Sequence, residues 1–231
     1  MKVLTVIQHT SAEYLGLMED HFEGRQIRFK YCRPFTEGVE PPDPDAIADG
    51  LVLLGGGPWG SAGSRDVPTL DKEIILARHC LEHDKPIIGI GLGAQILAIA
   101  AGGTSLPAEL VFEVGQARRA EIQALNGYLP EQYPLVSYRR DRAEPPAEAK
   151  ILAVDESDRP ALFQIGERAF GFAGHPGIKP AMVEDLMMEF DESPENIAAG
   201  LEKLRGIRVE LEDALVSIMT GLTQLTALMR P

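Results

Sequence analysis

The chain has 231 residues, of which 45% are hydrophobic and 25% charged, which fits a globular domain of ordinary size and excludes a disordered or fibrous chain. Its formal net charge of −13 argues against nucleic acid or an anionic membrane surface as the main partner, because both would repel the average field of the chain. No apolar run reaches the roughly 18 to 20 residues needed to cross a bilayer. The start, MKVLTVIQHT, turns polar too early for a secretory signal, so a cytoplasmic protein is expected. The cysteines, Cys32 and Cys80, form no CxxC pair and no Cys/His cluster, which indicates reduced thiols and neither a disulfide framework nor a zinc site.

In chain order, short apolar runs alternate with amphipathic stretches, as parallel strands joined by crossover helices require. Strands are predicted at Val3 to Ile7, Ile27 to Tyr31, Leu51 to Leu54 and Pro86 to Ile90. Leu70 to His83 carries Leu70, Ile74, Ala77 and Leu81 on one face and reads as a crossover helix. A second helix spans Gln95 to Ala101 and stops at Gly102-Gly103. Further strands, some antiparallel, are expected at Leu110 to Val114, Ile151 to Val154, Ala161 to Ile165 and Ala169 to Ala173, with Arg142 to Glu148 as a surface loop.

A different organisation begins near Asp191. Ser193-Pro194 reads as a helix start. From there Ile197, Leu201, Leu204, Leu211, Leu215, Ile218, Leu222, Leu225 and Met229 form one apolar stripe, interrupted at Arg208. Gly206 marks the expected break into two helices. Such a stripe must be covered either by its own domain or by a second chain.

Two glycine-bearing turns follow strands at the carboxyl edge of the sheet, where open α/β folds bind ligands. Leu54-Gly55-Gly56-Gly57-Pro58-Trp59 either turns backbone N–H groups toward an anion or is a plain tight turn. Gly89-Ile90-Gly91-Leu92-Gly93-Ala94-Gln95 is a strand, a sharp turn and an immediate helix, the geometry of a nucleophile elbow. His79 and His83, four apart on a helix, have ligand spacing without a third ligand, so no metal is expected.

These motifs resemble the class I glutamine amidotransferases over roughly residues 1 to 190, leaving residues 191 to 231 as a helical extension. GIGLGAQ followed by Ala101-Gly102-Gly103 is similar to the family's GxCxGxQ and its GG pair. Asp49 to Pro58 resembles its DG…GGP loop, and Gly174-His175-Pro176-Gly177 its FHPE. The resemblance implies an α/β, flavodoxin-like fold of three layers, a mostly parallel sheet flanked by helices. In the family the elbow cysteine is the nucleophile, the histidine its base, and the glutamate orients that base.

At those positions this chain has Gly91, His175 and Gly177, so only the imidazole is retained. The segment Tyr138-Arg139-Arg140-Asp141 also departs from the W/HGD-like stretch of the family's glutamine pocket. Without a thiolate no thioester forms, and loss of the nucleophile in such hydrolases removes about a millionfold of turnover. Neither Cys32 nor Cys80 occupies the elbow. What the resemblance leaves is a cradle: the N–H groups of Gly56, Gly57 and Leu92, with Gln95 lining a pocket and Arg139 or Arg140 clamping an acidic ligand. The reading is therefore a catalytically degenerate protein, needing no cofactor, that binds a protein partner or a small acidic metabolite and forms a homo-oligomer. The alternative is altered hydrolase or transferase chemistry on a carboxylate- or amide-bearing substrate through His175 and the N–H cradle.

Overall fold

The computed structural model describes residues 1–229. In chain order its elements are β1 (Val3–Ile7), α1 (Met18–Gly24), β2 (Arg28–Cys32), β3 (Gly50–Leu53), α2 (Leu70–Glu82), β4 (Ile87–Ile90) and α3 (Leu92–Ala100). There follow β5 (Thr104–Leu106), β6 (Val111–Arg119), β7 (Gln132–Arg139), β8 (Arg142–Glu144), β9 (Lys150–Val154), β10 (Pro160–Ile165) and β11 (Ala169–Phe172). Helices α4 (Pro180–Glu189), α5 (Ile197–Gly206) and α6 (Arg208–Leu225) close the chain.

Nine strands form one sheet in the order β2-β1-β3-β4-β11-β10-β9-β6-β7. The first five pair in parallel and the rest antiparallel. Strands β3 and β4 are buried throughout, as parallel strands covered on both faces must be. Their side chains alternate: Leu51, Leu53 and Ile87 join α2 and α3 on one face, while Val52, Leu54, Ile88 and Ile90 join α1 and α6 on the other. The expected three-layer α/β architecture is thus present, with its sheet parallel in the half that holds the glycine turns. Strand order reverses beside β1, which places a crevice at the carboxyl ends of β1 and β3.

Several elements differ from the sequence expectation for identifiable reasons. The run from Leu110 continues to Arg119 and pairs along its length with β7, a strand absent from the expected set that contains Pro134. Proline is tolerated there because β7 is the sheet edge. Arg142 to Glu144, expected in a loop, instead pairs with β5 in a two-stranded ribbon. Helix α5 starts at Ile197 and not at Ser193-Pro194, after Asn196 in a left-handed conformation.

The tail does divide at Gly206, with Ile207 between the two helices. Most of its stripe is covered by this chain itself, with Met229 left exposed. Leu201, Leu204 and Leu211 pack with Phe112, Val114 and Tyr138, while Leu215, Ile218 and Leu222 join Phe22, Leu125 and Leu129. A Cβ on Gly200 would lie 2.7 Å from the Phe112 ring, so the glycine that weakens α5 allows its close approach to the sheet. Of the two ways of covering the stripe, packing on its own domain is the one seen for these residues; residues 230 and 231 of the tail lie outside the described residues. Truncation after Phe190 is expected to abolish cooperative urea unfolding and soluble expression, because it would strip seven buried leucine and isoleucine side chains from two core clusters. Retention of a sharp transition in the truncated chain would contradict that assignment.

Candidate functional site

The elbow is built by β4, Gly91 and α3. Gly91 has φ 55° and ψ −111°, a backbone conformation costly for a residue with a side chain. Its N–H donates to Phe172 O at 2.9 Å, and its carbonyl accepts from Ala94 and Gln95 as α3 begins. A Cβ at this position would meet nothing closer than Gly55 Cα at 3.6 Å. The site therefore has room for a side chain and carries none. Beside it, the Leu92 side chain covers Gly56, where an added Cβ would lie 2.5 Å from Leu92 Cδ2.

The β1–α1 loop fills the crevice. Glu13 is buried, its N–H donates to Thr10 Oγ1 at 3.0 Å, and its carboxyl Oε2 accepts the N–H of Gly57. One cradle donor is thus already engaged by the chain's own carboxyl. Gly55 leaves room for this carboxyl, which a Cβ there would displace. Burial pushes the Glu13 carboxyl up to about 7, with Glu189 adding to the rise and the Gly57 N–H and His9 opposing it.

His9, at the end of β1, lies below this carboxyl. Its Nδ1 is 3.0 Å from Gly55 O and its Nε2 is 2.7 Å from Glu73 Oε2, with both side chains fully buried. Glu73 also accepts the Thr69 hydroxyl. Burial opposes a charge on the imidazole, but Glu73 and the Gly55 carbonyl outweigh it and hold the pKa above its usual value. Both ring nitrogens face acceptors, so the protonated ring satisfies both. The pair is a buried strut between β1 and α2.

His175 faces the same loop from the other side. Its Nε2 donates to Tyr14 O at 2.7 Å and its Nδ1 accepts the Gly177 N–H at 3.1 Å. Burial pushes its pKa down to about 4, so it is neutral at physiological pH and both nitrogens are committed. Gly177 is closed in: a Cβ there would lie 2.9 Å from Met18 N and Cγ and 3.0 Å from Leu15 O. Its carbonyl accepts the Leu17 N–H at 2.8 Å. The segment Tyr14 to Met18 thus occupies the space that a carboxylate at position 177 would need.

Of the other sequence candidates, Gln95 and Arg139 line a cleft beside Gly91, and the rest lie away from it. Gln95 is buried and spent on the protein: Nε2 donates to Arg140 O at 2.7 Å and Oε1 accepts the Ser61 hydroxyl at 2.6 Å. Arg139 is 8% exposed, donates to Asp141 O at 2.7 Å, and lies 3.7 Å from Glu113. Arg140 points elsewhere, donating to Pro58 O at 2.9 Å and pairing with Glu192, which also pairs with Arg65. Cys80 is buried, and burial pushes its thiol up to about 11. His79 and His83 stack with centroids 4.1 Å apart, and no group of three or more metal-ligating side chains occurs among the described residues.

Sequence reasoning missed four residues here: His9, Glu13, Glu73 and Asp141. Asp141 is fully buried and accepts the N–H groups of Ser61, Ala62 and Ala108 at 2.9, 3.0 and 3.1 Å, fixing the loop after the glycine turn. The one signal available for His9 and Glu13 was position, since both follow β1 at the carboxyl edge next to the glycine turn.

The cavity beside Gly91 is about 70 Å³ and is lined by Gln95, Ser137, Arg139, Arg142 and Arg159 among others. It shares Glu113, Leu135, Ser137, Asp155 and Arg159 with a neighbouring cleft of about 350 Å³. A larger, mainly apolar cavity of about 490 Å³, lined by Leu17, Ile178, Leu204 and Leu211, contains none of the elbow residues. No helix among the described residues is long and apolar enough to cross a membrane.

Comparison with known proteins agrees with this architecture. The chain is 28% identical over 226 residues to the GMP synthase (glutamine-hydrolyzing) of Aeropyrum pernix, an alignment covering 87% of this chain. It spans only 40% of that protein's length. It is 27% identical over 187 residues to a separate subunit of the GMP synthase (glutamine-hydrolyzing) of Methanothrix thermoacetophila, covering 77% of this chain and 90% of that one. A crystal structure of a glutamine amido transferase from Methylobacillus flagellatus superposes with a TM-score of 0.81 at 19% identity, over 100% of this chain and 96% of the other, and so shares its fold. The sequence profile described as glutamine amidotransferase class-I matches residues 22–190, and the chain belongs to that family.

Proposed function

We propose that this chain is a catalytically degenerate member of its family, without glutaminase activity, that acts as a binding or regulatory subunit. The observation that carries the reading is the combination of Gly91 at the elbow with a neutral His175 whose two nitrogens are both hydrogen-bonded to backbone. Amide hydrolysis by the family's route needs a thiolate and an imidazole free to generate it. A protein partner is supported by the relatives, one of which is a subunit of a GMP synthase. The alternative, altered chemistry through His175 and the N–H cradle, has less support, because the imidazole is engaged by Tyr14 and Gly177 and the Gly57 donor by Glu13.

Incubation of the purified protein with glutamine is expected to release no ammonia above the buffer blank. Gly91→Cys alone is expected to remain inactive, since the new thiol would have no available base. Ammonia released by the unsubstituted chain would overturn the reading.

A further inference from the structure

Helices α5 and α6 meet the rest of the chain over the cavity of about 490 Å³, a volume within the roughly 300 to 1,000 Å³ of clefts that hold small molecules. Its apolar wall comes from three separate stretches: Leu17 ahead of α1, then Ile178, Pro180 and Ala181 leading into α4, then Leu204 and Leu211 on the tail helices. Leu204 and Leu211 are buried while Ala181, Arg205 and Arg208 are exposed, so the cavity is apolar within and opens to solvent. An apolar recess of that size facing water calls for an apolar occupant.

The charged wall residues fix the sign of that occupant. Lys179, Arg205 and Arg208 are cationic and Glu212 is the one carboxylate among the described wall residues, in a chain of net charge −13. Arg205 pairs with Glu184 and Glu202, and Arg208 with Glu212, at the surface, where such pairs contribute little. Lys179 has no ion pair among the described residues, and its ammonium lies 5.7 Å from the centroid of the Tyr14 ring. We infer that this cavity binds a medium-chain monocarboxylate, its hydrocarbon chain against Leu204 and Leu211 and its head held by Lys179. A bilayer is a poorer source of the same chemistry, because the negative field of the chain opposes an anionic membrane surface. A two-fold contact between copies would set these cations against their own counterparts, which disfavours that occupant. Leu17 also donates its N–H to the Gly177 carbonyl at 2.8 Å, so a ligand bound here rests on the segment that engages His175.

The inference goes beyond the proposed function and does not depend on it, because no elbow residue lines this cavity. Isothermal titration calorimetry of the full-length protein with octanoate, hexanoate, octylamine and octanol, each kept below micelle formation, tests it. Octanoate is expected to bind saturably at a single site, about tenfold tighter than hexanoate, because two further methylenes leave water. Octylamine and octanol, which offer Lys179 no anion, are expected to bind at least about tenfold more weakly than octanoate. Ala181→Phe, which fills the recess from an exposed position, is expected to abolish octanoate binding, and Lys179→Gln to weaken it about tenfold. Arg118→Gln, at an exposed arginine paired with Asp158, is expected to leave it unchanged. No saturable heat with octanoate, equal affinity for octylamine or hexanoate, or unaltered binding in Lys179→Gln would overturn the proposal. So would sedimentation of the protein with phosphatidylglycerol vesicles in preference to octanoate, or a dimer on sizing that Ala181→Phe dissociates. Ammonia release from glutamine would sink the functional assignment alone and leave the calorimetric result standing.

Discussion

Glu13→Gln is expected to raise the unfolding free energy by about 3 kcal/mol at pH 8 and to leave it unchanged at pH 4. The folded state holds the Glu13 proton up to a pKa of about 7, against an ordinary value of 4.5. Between those limits the folded chain binds more protons than the unfolded one, so stability falls as pH rises from 4.5 to 7 and stays lowered above. Glutamine mimics the protonated acid and can still accept the Gly57 N–H, so it removes the loss without emptying the crevice. His175 has the opposite sign. Its pKa falls from 6.5 to about 4 on folding, so its contribution is present above 6.5 and is lost as pH drops through 4. The two slopes oppose each other between pH 4.5 and 6.5, and Glu13→Gln should remove the glutamate slope while leaving that of His175 in place. Urea midpoints measured from pH 4 to pH 8 on both proteins provide the test, and parallel curves would refute the burial argument for Glu13.

The second large effect is expected at residue 177. Gly177→Glu should destabilise the chain by roughly 4 kcal/mol or more, because its side chain meets Met18 and the Leu15 carbonyl at about 3 Å and would bring an unpaired charge into that space. Gly91→Cys should cost only about 1 to 3 kcal/mol, the strain of a positive φ in a position with open space around the Cβ. The double substitution that nominally rebuilds the family's residues should therefore unfold at lower denaturant than either parent and still fail to hydrolyse glutamine. Equal urea midpoints for Gly177→Glu and the unsubstituted chain would show that the Tyr14 to Met18 segment yields readily.

Much of the fold is legible in the sequence because its inner strands and helices carry strong periodic patterns. Leu51 to Leu54 and Pro86 to Ile90 are continuous apolar runs bounded by turn residues, and they lie within a residue of β3 and β4. Leu70 to His83 is long enough for a helical stripe to show, and α2 ends one residue earlier. By contrast α1 has seven residues, fewer than two turns of pattern, and β7 contains Pro134. At the site, motif spacing pointed to Gly91, His175 and Gly177. What Glu13 does was not legible, because a single glutamate in a polar loop is ordinarily solvated. Only the sheet order, which brings the β1 loop over the glycine turn, turns it into a buried partner for Gly57. The engagement of His175 by a carbonyl 161 residues earlier in the chain is likewise a property of the assembled fold.

The seating of residues 13 to 18 on Gly57 and Gly177 has an evolutionary corollary. If the proposed function holds, a lineage regaining amide hydrolysis would have to acquire a thiol, evict Glu13 from an amide it already satisfies, and pull a whole backbone turn off residue 177. No single one of those steps is rewarded before the others, and the last sacrifices packing at once. On the proposed reading the segment would work as a ratchet, turning a vacancy at the elbow into a commitment that point mutation does not easily reverse.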